Sequence, residues 1–289
     1  MRAPWTALLL AVTVLAACGV RAPRLQPSGS SASAPATSHP SLAGGPEAQG
    51  RPAAASATRV PPTVLLHGPR GVRDVALTFD DGPDGNYTPR ILSILEGAHV
   101  PATFFLVGQR VAKNAAQVRR MVADGDAVGN HTWDHPQLTH ITAVARRAQL
   151  VRTEAAIAAI TGFQTDLFRP PYGDLSRAVD QQLGGMGYHI IFWEVDSLDW
   201  KGLSKAAVLH NVLPSVRPGS IILQHCAAGG PTEDLSGTVA ALPVIIARLR
   251  AQGYRFVTIP RMFGIPEAMG GGAGSGAASG ASVGAGARV

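Results

Sequence analysis

Thr78-Phe79-Asp80-Asp81-Gly82-Pro83 sets two adjacent carboxylates between an apolar run, Val75-Ala76-Leu77, and a Gly-Pro break. An apolar run that ends in charge reads as a strand delivering side chains into a site. Neighbouring carboxylates repel, and a bound cation is the usual compensation. Asp, Gly and Pro also favour turns, so these six residues alone read equally well as a strand followed by a polar turn. The rest of the chain separates the two readings.

Outward from this stretch the pattern alternates. Apolar runs at 75–79, 102–107, 127–130, 166–169, 188–194, 220–225 and 254–259 read as strands. Thr88-Pro89 reads as an N-cap followed by proline at the first helical position, opening a helix to about Gly97. Helical spacing recurs in Val111, Ala115, Val118 and Val122, and in Val144, Ala148, Val151, Ala155 and Ala158. It recurs again in Leu235, Val239, Leu242, Ile246 and Leu249, where Pro243 predicts a kink or a late start. Strands alternating with helices predict an α/β fold with a parallel sheet, closed as a barrel or open and doubly wound. Gly184-Gly185-Met186-Gly187 precedes a strand, so it is no dinucleotide fingerprint.

Polar residues gather where these strands end. Asp80 and Asp81 follow the first, His131 and His135 the third, Arg169 the fourth, Asp196 and Asp199 the fifth and His225 the sixth. Parallel α/β barrels build their sites at the C-terminal ends of strands, so one shared site is expected. His131 and His135 stand four apart and can meet one metal if the segment is helical or tightly turned. They read equally as two loop histidines until Asp81 joins them. Two imidazoles and one carboxylate then leave a position open for water, as catalytic rather than structural zinc sites do.

The ends are different in kind. Residues 1–17 carry Arg2 and an apolar stretch from Ala7 to Ala17, too short to span a bilayer, and lead through Leu15-Ala16-Ala17 to Cys18. This resembles a bacterial lipobox, which implies a lipid on Cys18 and a domain held at the outer face of the cytoplasmic membrane; if the lipobox is not used, the chain is secreted. Residues 18–61 are rich in Ser, Ala, Pro and Gly and read as a disordered tether, with an r.m.s. span of roughly 35–40 Å. Residues 62–266 form the domain, and the Gly/Ala-rich residues 267–289 a disordered tail. The net charge of +6 is scattered rather than clustered, so no nucleic-acid partner is expected, and nothing indicates an oligomer, so a monomer is expected. Cys18 and Cys226 lie too far apart in context for a disulfide framework.

Taken together, Thr78-Phe79-Asp80-Asp81-Gly82-Pro83, His131-x-x-x-His135, Arg169-Pro170-Pro171-Tyr172-Gly173, Asp196-x-x-Asp199-Trp200 and Ile222-Leu223-Gln224-His225 resemble the five ordered motifs of the polysaccharide deacetylases, carbohydrate esterase family 4 or the NodB-homology domain. The resemblance covers roughly residues 72–262. It implies a distorted, TIM-barrel-like (β/α) barrel, here of about seven parallel strands, and a divalent metal, zinc with cobalt or nickel as alternatives. It implies removal of N-acetyl groups from amino sugars, or of O-acetyl groups from xylan in some members.

The resemblance also implies roles. Asp81, His131 and His135 hold the metal; Asp80 is the general base, oriented by Arg169; a backbone N–H at Tyr172 faces the oxyanion. His225 is the general acid and needs a carboxylate partner, for which Asp196, directly at the strand end, is expected, leaving Asp199 structural. Trp200 and Leu223 line a slot for the acetyl methyl. Trp193 reads as core, close to the mouth. Family members often carry Asp where this chain has Cys226, which reads as a small buried residue. Given an anchor and a tether, the expected substrate is peptidoglycan N-acetylglucosamine, then chitin-like or poly-N-acetylglucosamine polymers. A catalytically silent wall-binding lipoprotein is the alternative of another class.

Overall fold

The computed structural model describes residues 64–230 and 233–266, all within one compact unit. The expected signal peptide, lipidated Cys18, tether and tail lie outside the described residues. The chain runs β1 (Val64–Leu65), β2 (Asp74–Asp80), α1 (Tyr87–Ala98), β3 (Thr103–Leu106), α2 (Gly108–Val111), α3 (Ala115–Ala123) and β4 (Ala127–Asn130). It continues α4 (Ala143–Thr161), β5 (Leu167–Phe168), α5 (Arg177–Gly185), β6 (His189–Ile191), β7 (Val195–Asp196), α6 (Lys205–Val212), β8 (Ile221–His225), α7 (Ser236–Ala251), β9 (Arg255–Phe256) and α8 (Ile259–Phe263).

The strands pair in parallel in the order β1-β6-β5-β4-β3-β2-β8-β7, with β9 against the start of β2. This is the distorted (β/α) barrel. Strand alternation sorts β2: Val75, Leu77 and Phe79 join the core packed against the outer helices, while Ala76 faces a second core inside the barrel. Ile259, Met262 and Ile265 of α8 and its exit fill that inner core from below. Each such side chain removed from water contributes about 1.5–3 kcal/mol. Thr78 and Asp80 continue the inward face above Ala76, so the polar end of β2 opens upward into the barrel mouth.

The run expected as one strand over 188–194 splits in two. Phe192 N–H still donates to Leu65 of β1, but Glu194 N–H donates to Ile221 of β8, so the chain crosses a seam between them. The segment after β1 straps that seam. Gly68 N–H donates to Gly219, and Arg70 reaches Glu194 at 2.6 Å, whose other oxygen accepts from Ser220.

Three expectations about helices need correction. Thr88 is not the cap of α1: Asp84 Oδ1 accepts from the N–H groups of Asn86, Tyr87 and Thr88, and the Thr88 hydroxyl donates instead to the Cys226 carbonyl. The late start offered for Pro243 does not hold: the helix begins at Ser236 and runs through Pro243, which sits on its exposed side. The apolar stripe of α4 faces outward: Val144, Ala148, Val151 and Ala155 are exposed, and the helix buries Leu150, Thr153, Glu154 and Ile157. Periodicity missed this face because Glu154 is buried for its hydrogen bonds, accepting from Thr165 N–H and Tyr188 O–H.

Candidate metal centre and active site

Asp80 ends β2 on its inward face, and strand alternation would turn Asp81 outward. Asp81 instead takes φ 70°, a left-handed conformation, and its carboxylate turns back over the barrel mouth. Both carboxylates thus reach one site by different backbone routes. Gly82 follows, and a Cβ there would collide with the Cys226 sulfur. Cys226 is fully buried and holds the same turn: its N–H and thiol donate to the Asp80 carbonyl at 3.0 and 3.4 Å.

The His131–His135 loop is built on Asn130, which sequence reading passed over. Its Oδ1 accepts from Thr132 N–H, while its amide donates to Leu150 O and to Tyr188 Oη. Thr132 and His135 adopt positive φ of 68° and 62°, and the Thr132 hydroxyl accepts from His135 N–H. This tight turn, rather than a helix, brings the two rings together, with centroids 4.9 Å apart.

His131 Nε2 and His135 Nε2 lie 3.4 and 3.2 Å from Asp81 Oδ1. That oxygen is buried and has no hydrogen-bond donor among the described residues. His131 Nδ1–H donates to the Arg169 carbonyl at 2.7 Å; a carbonyl only accepts, so Nε2 is left as a lone pair facing the carboxylate. Two imidazole nitrogens and an unpartnered carboxylate oxygen converging in this way fit a cation. Ligand atoms about 2.05 Å from a tetrahedral ion stand about 3.3 Å apart, which matches both separations.

On one side of this cluster, fully buried Arg169 donates to Asp80 Oδ1 at 2.7 Å. Three further N–H groups go to Thr78 Oγ1 and to the Ile191 and Phe192 carbonyls, and its Cζ lies 4.2 Å from the Phe105 ring centroid. The guanidinium therefore fixes Asp80 and also ties β2 and β5 to the seam. Thr78 was legible only as part of the motif.

On the other side stands His225. The expected partnership with Asp196 is not what the structure shows. His225 Nδ1–H donates to Asp199 Oδ1 at 2.7 Å, and Asp199 Oδ2 accepts from the His225 backbone N–H and the Thr238 hydroxyl. Asp196 Oδ1 accepts from Leu198 N–H instead, and its side chain lines the cavity. The reason is local: Leu198 adopts φ 54°, which reverses the chain so that buried Asp199 points back under His225. Burial alone would lower the imidazole's pKa, but Asp199, with Asp81 and Asp80 beyond it, pushes it up to about 10. The carboxylates around it thus favour the imidazolium form of His225.

These groups face one cavity of about 480 Å³. Leu223, Trp193 and Trp200 form its apolar walls, so Trp193 belongs to the cavity and not only to the core. Tyr172 stands at the rim, two-thirds exposed at 66%, with φ 60° in the Pro171–Gly173 turn and its ring edge-on to His135 at 4.5 Å. Glu233, which the sequence did not single out, also lines the cavity. The arrangement offers an acceptor for a proton at Asp80, a donor at His225 and a cation site between them.

Residues 67–191 match the family described as polysaccharide deacetylase. A peptidoglycan-N-acetylglucosamine deacetylase of Bacillus cereus is 42% identical over 196 residues, 68% of this chain and 70% of its own. The Listeria monocytogenes peptidoglycan-N-acetylglucosamine deacetylase is 39% identical over 66% of this chain, which spans only 39% of that protein. Among solved structures, a peptidoglycan N-acetylglucosamine deacetylase in complex with an N-oxidanyl-benzamide superposes with a TM-score of 0.67 at 40% identity, covering 70% of this chain and 93% of that one. A family 4 pseudoenzyme from Bacillus anthracis superposes at 0.64 with 32% identity, covering 70% and 69%. The five motifs, the barrel that gathers them and this degree of identity lead to one conclusion: the chain belongs to the polysaccharide deacetylase family, carbohydrate esterase family 4.

Proposed function

We propose that this chain hydrolyses N-acetyl groups from amino sugars of a cell-surface glycan, peptidoglycan N-acetylglucosamine first. The observation that carries the reading is the placement of Asp80 and His225, each held by its own buried partner, on either side of the Asp81–His131–His135 cluster in one cavity. Asp81, His131 and His135 would hold a divalent cation, which would supply polarisation of water and of the acetyl carbonyl. The O, N, N donor set suits zinc, with cobalt and nickel next.

Asp80 accepts the proton of the attacking water, and Arg169 keeps its carboxylate aimed. The Tyr172 backbone N–H faces the oxygen that gains charge. His225 gives its Nε2 proton to the nitrogen as the C–N bond breaks, and Asp199 stabilises the imidazolium beforehand. Leu223 and Trp200 hold the methyl. Asp196 lines the same cavity, free of the role of orienting His225.

The relatives support the choice of glycan. Relatives from Bacillus cereus, Listeria monocytogenes and Bacillus subtilis are named for peptidoglycan. A chitooligosaccharide deacetylase of Sinorhizobium fredii, 37% identical over 66% of this chain and 92% of its own, keeps chitin-like polymers as the second substrate class. Xylan esters are the third. A silent wall-binding role is disfavoured because every proposed proton-transfer and metal-binding side chain is in place. The lipobox supports an anchor through Cys18 on the outer face of the membrane; labelled palmitate on the wild type and none on Cys18→Ala tests it. For the reaction, mass analysis of muropeptides treated with the enzyme tests the glycan: sugars lacking one acetyl are expected, and an unchanged wall with deacetylated chitin oligomers moves the assignment to chitin.

A further inference from the structure

The segment from Val107 to Arg110, entering α2, belongs to none of the five motifs, yet it touches three of the loops that carry the site. Val107 N–H donates to the Gly82 carbonyl at 2.9 Å. Gly108 and Gln109 N–H donate to the Thr132 and Trp133 carbonyls, at 2.9 and 3.0 Å, inside the His131–His135 loop. Arg110 completes the set: its two terminal nitrogens donate to the Asp81 carbonyl at 3.0 Å and to the Ala228 carbonyl at 2.8 Å. Ala228 stands three residues after His225.

We propose that Arg110 is a positioning residue, whose guanidinium fork ties the Asp81 turn to the loop leaving His225 and so sets both the cation site and its distance from the proton donor. The inference rests on the metal-dependent reading of the site. Three features support it. Asp81 occupies a left-handed conformation, which persists only where surroundings fix it, and Arg110 fixes its carbonyl. Arg110 is half-buried, and among the described residues no carboxylate pairs with it. A cation beside a dication site opposes metal binding by simple repulsion. Its use here therefore follows from geometry: only a planar fork reaches two carbonyls on different loops at once.

The charge and geometry accounts give opposite results, which makes the test two-sided. Zinc affinity of the full chain is measured by titration calorimetry for wild type, Arg110→Gln and Arg110→Lys, with circular dichroism to check folding. If the fork positions Asp81, both variants bind zinc at least about tenfold more weakly, as loss of a group that orients a metal ligand does. kcat then falls by a similar factor while KM stays within about threefold of wild type. Zinc binding by Arg110→Gln as tight as wild type or tighter overturns the proposal, as does Arg110→Lys with wild-type affinity. Should Arg110→Gln fail to fold, Arg110→Lys alone decides. The zinc measurement needs no substrate, so a chain that binds zinc as proposed but releases no acetate would refute the deacetylase reading and leave Arg110's role standing.

Discussion

His225 Nδ1 stands 2.7 Å from Asp199 Oδ1, and the same carboxylate also accepts the His225 backbone N–H and the Thr238 hydroxyl. This buried carboxylate, not the nearer-seeming Asp196, keeps the imidazole charged. Activity that needs the imidazolium falls as pH rises through its pKa, and Asp199 raises that pKa. Removing the carboxylate charge lowers the pKa. Asp199→Asn should therefore move the alkaline limb of kcat/KM to lower pH, whereas Asp196→Asn should leave it within about half a unit. A pH–rate series on the three proteins checks this.

Arg169 is wholly buried against Asp80 and also bonds Thr78, Ile191 and Phe192. Taking away the cation leaves Asp80 charged and unpaired. Arg169→Gln should cost about 3–5 kcal/mol of stability, and Arg169→Lys should recover little, because a single ammonium cannot span those acceptors. Denaturant unfolding measures both.

Asp126 lies far from this chemistry, at the opposite end of the barrel, where its carboxylate accepts from Ala102 N–H. Burial raises its pKa from the usual 3.8 to about 7. The folded chain then holds a proton that the unfolded chain has released between those values, so stability from this group is present below pH 3.8 and lost as pH rises through 7. Asp126→Asn, which keeps the acceptor and carries no charge, should be more stable than wild type at pH 8 by about 1–2 kcal/mol, discounted for its partial exposure, and equal to it near pH 3.5. Unfolding curves at the two pH values test the sign.

How much of this was legible before the structure depends on the kind of signal. Strands with strong apolar runs, such as β2, β4 and β8, stand where periodicity placed them, because one or both faces are buried. The residues at their C-terminal ends meet because parallel barrels force it: Asp81 with His131 and His135, and Arg169 with Asp80. What sequence could not carry was set by single left-handed residues and by backbone acceptors. Leu198 at φ 54° exchanges Asp196 for Asp199, and Asp81 at φ 70° places its carboxylate by a turn and not by alternation. Arg110, Asn130 and Thr238 act through carbonyls, amides and a carboxylate distant in sequence, and no spacing rule points to them. The outward stripe of α4 failed for a related reason, since a hydrogen-bonded Glu154 outweighed alanines in choosing the buried face.

Asp80 accepts the proton of the attacking water beside a site where Asp81, His131 and His135 would hold a divalent cation. The most direct test of this chemistry is acetate release and bound metal, measured together for wild type and Asp80→Asn on peptidoglycan and N-acetylglucosamine oligosaccharides. EDTA should stop the wild type and zinc restore it, and Asp80→Asn should lose at least about 100-fold in turnover while binding as much metal. Near-wild-type turnover by Asp80→Asn, or wild-type turnover untouched by EDTA, would contradict this chemistry.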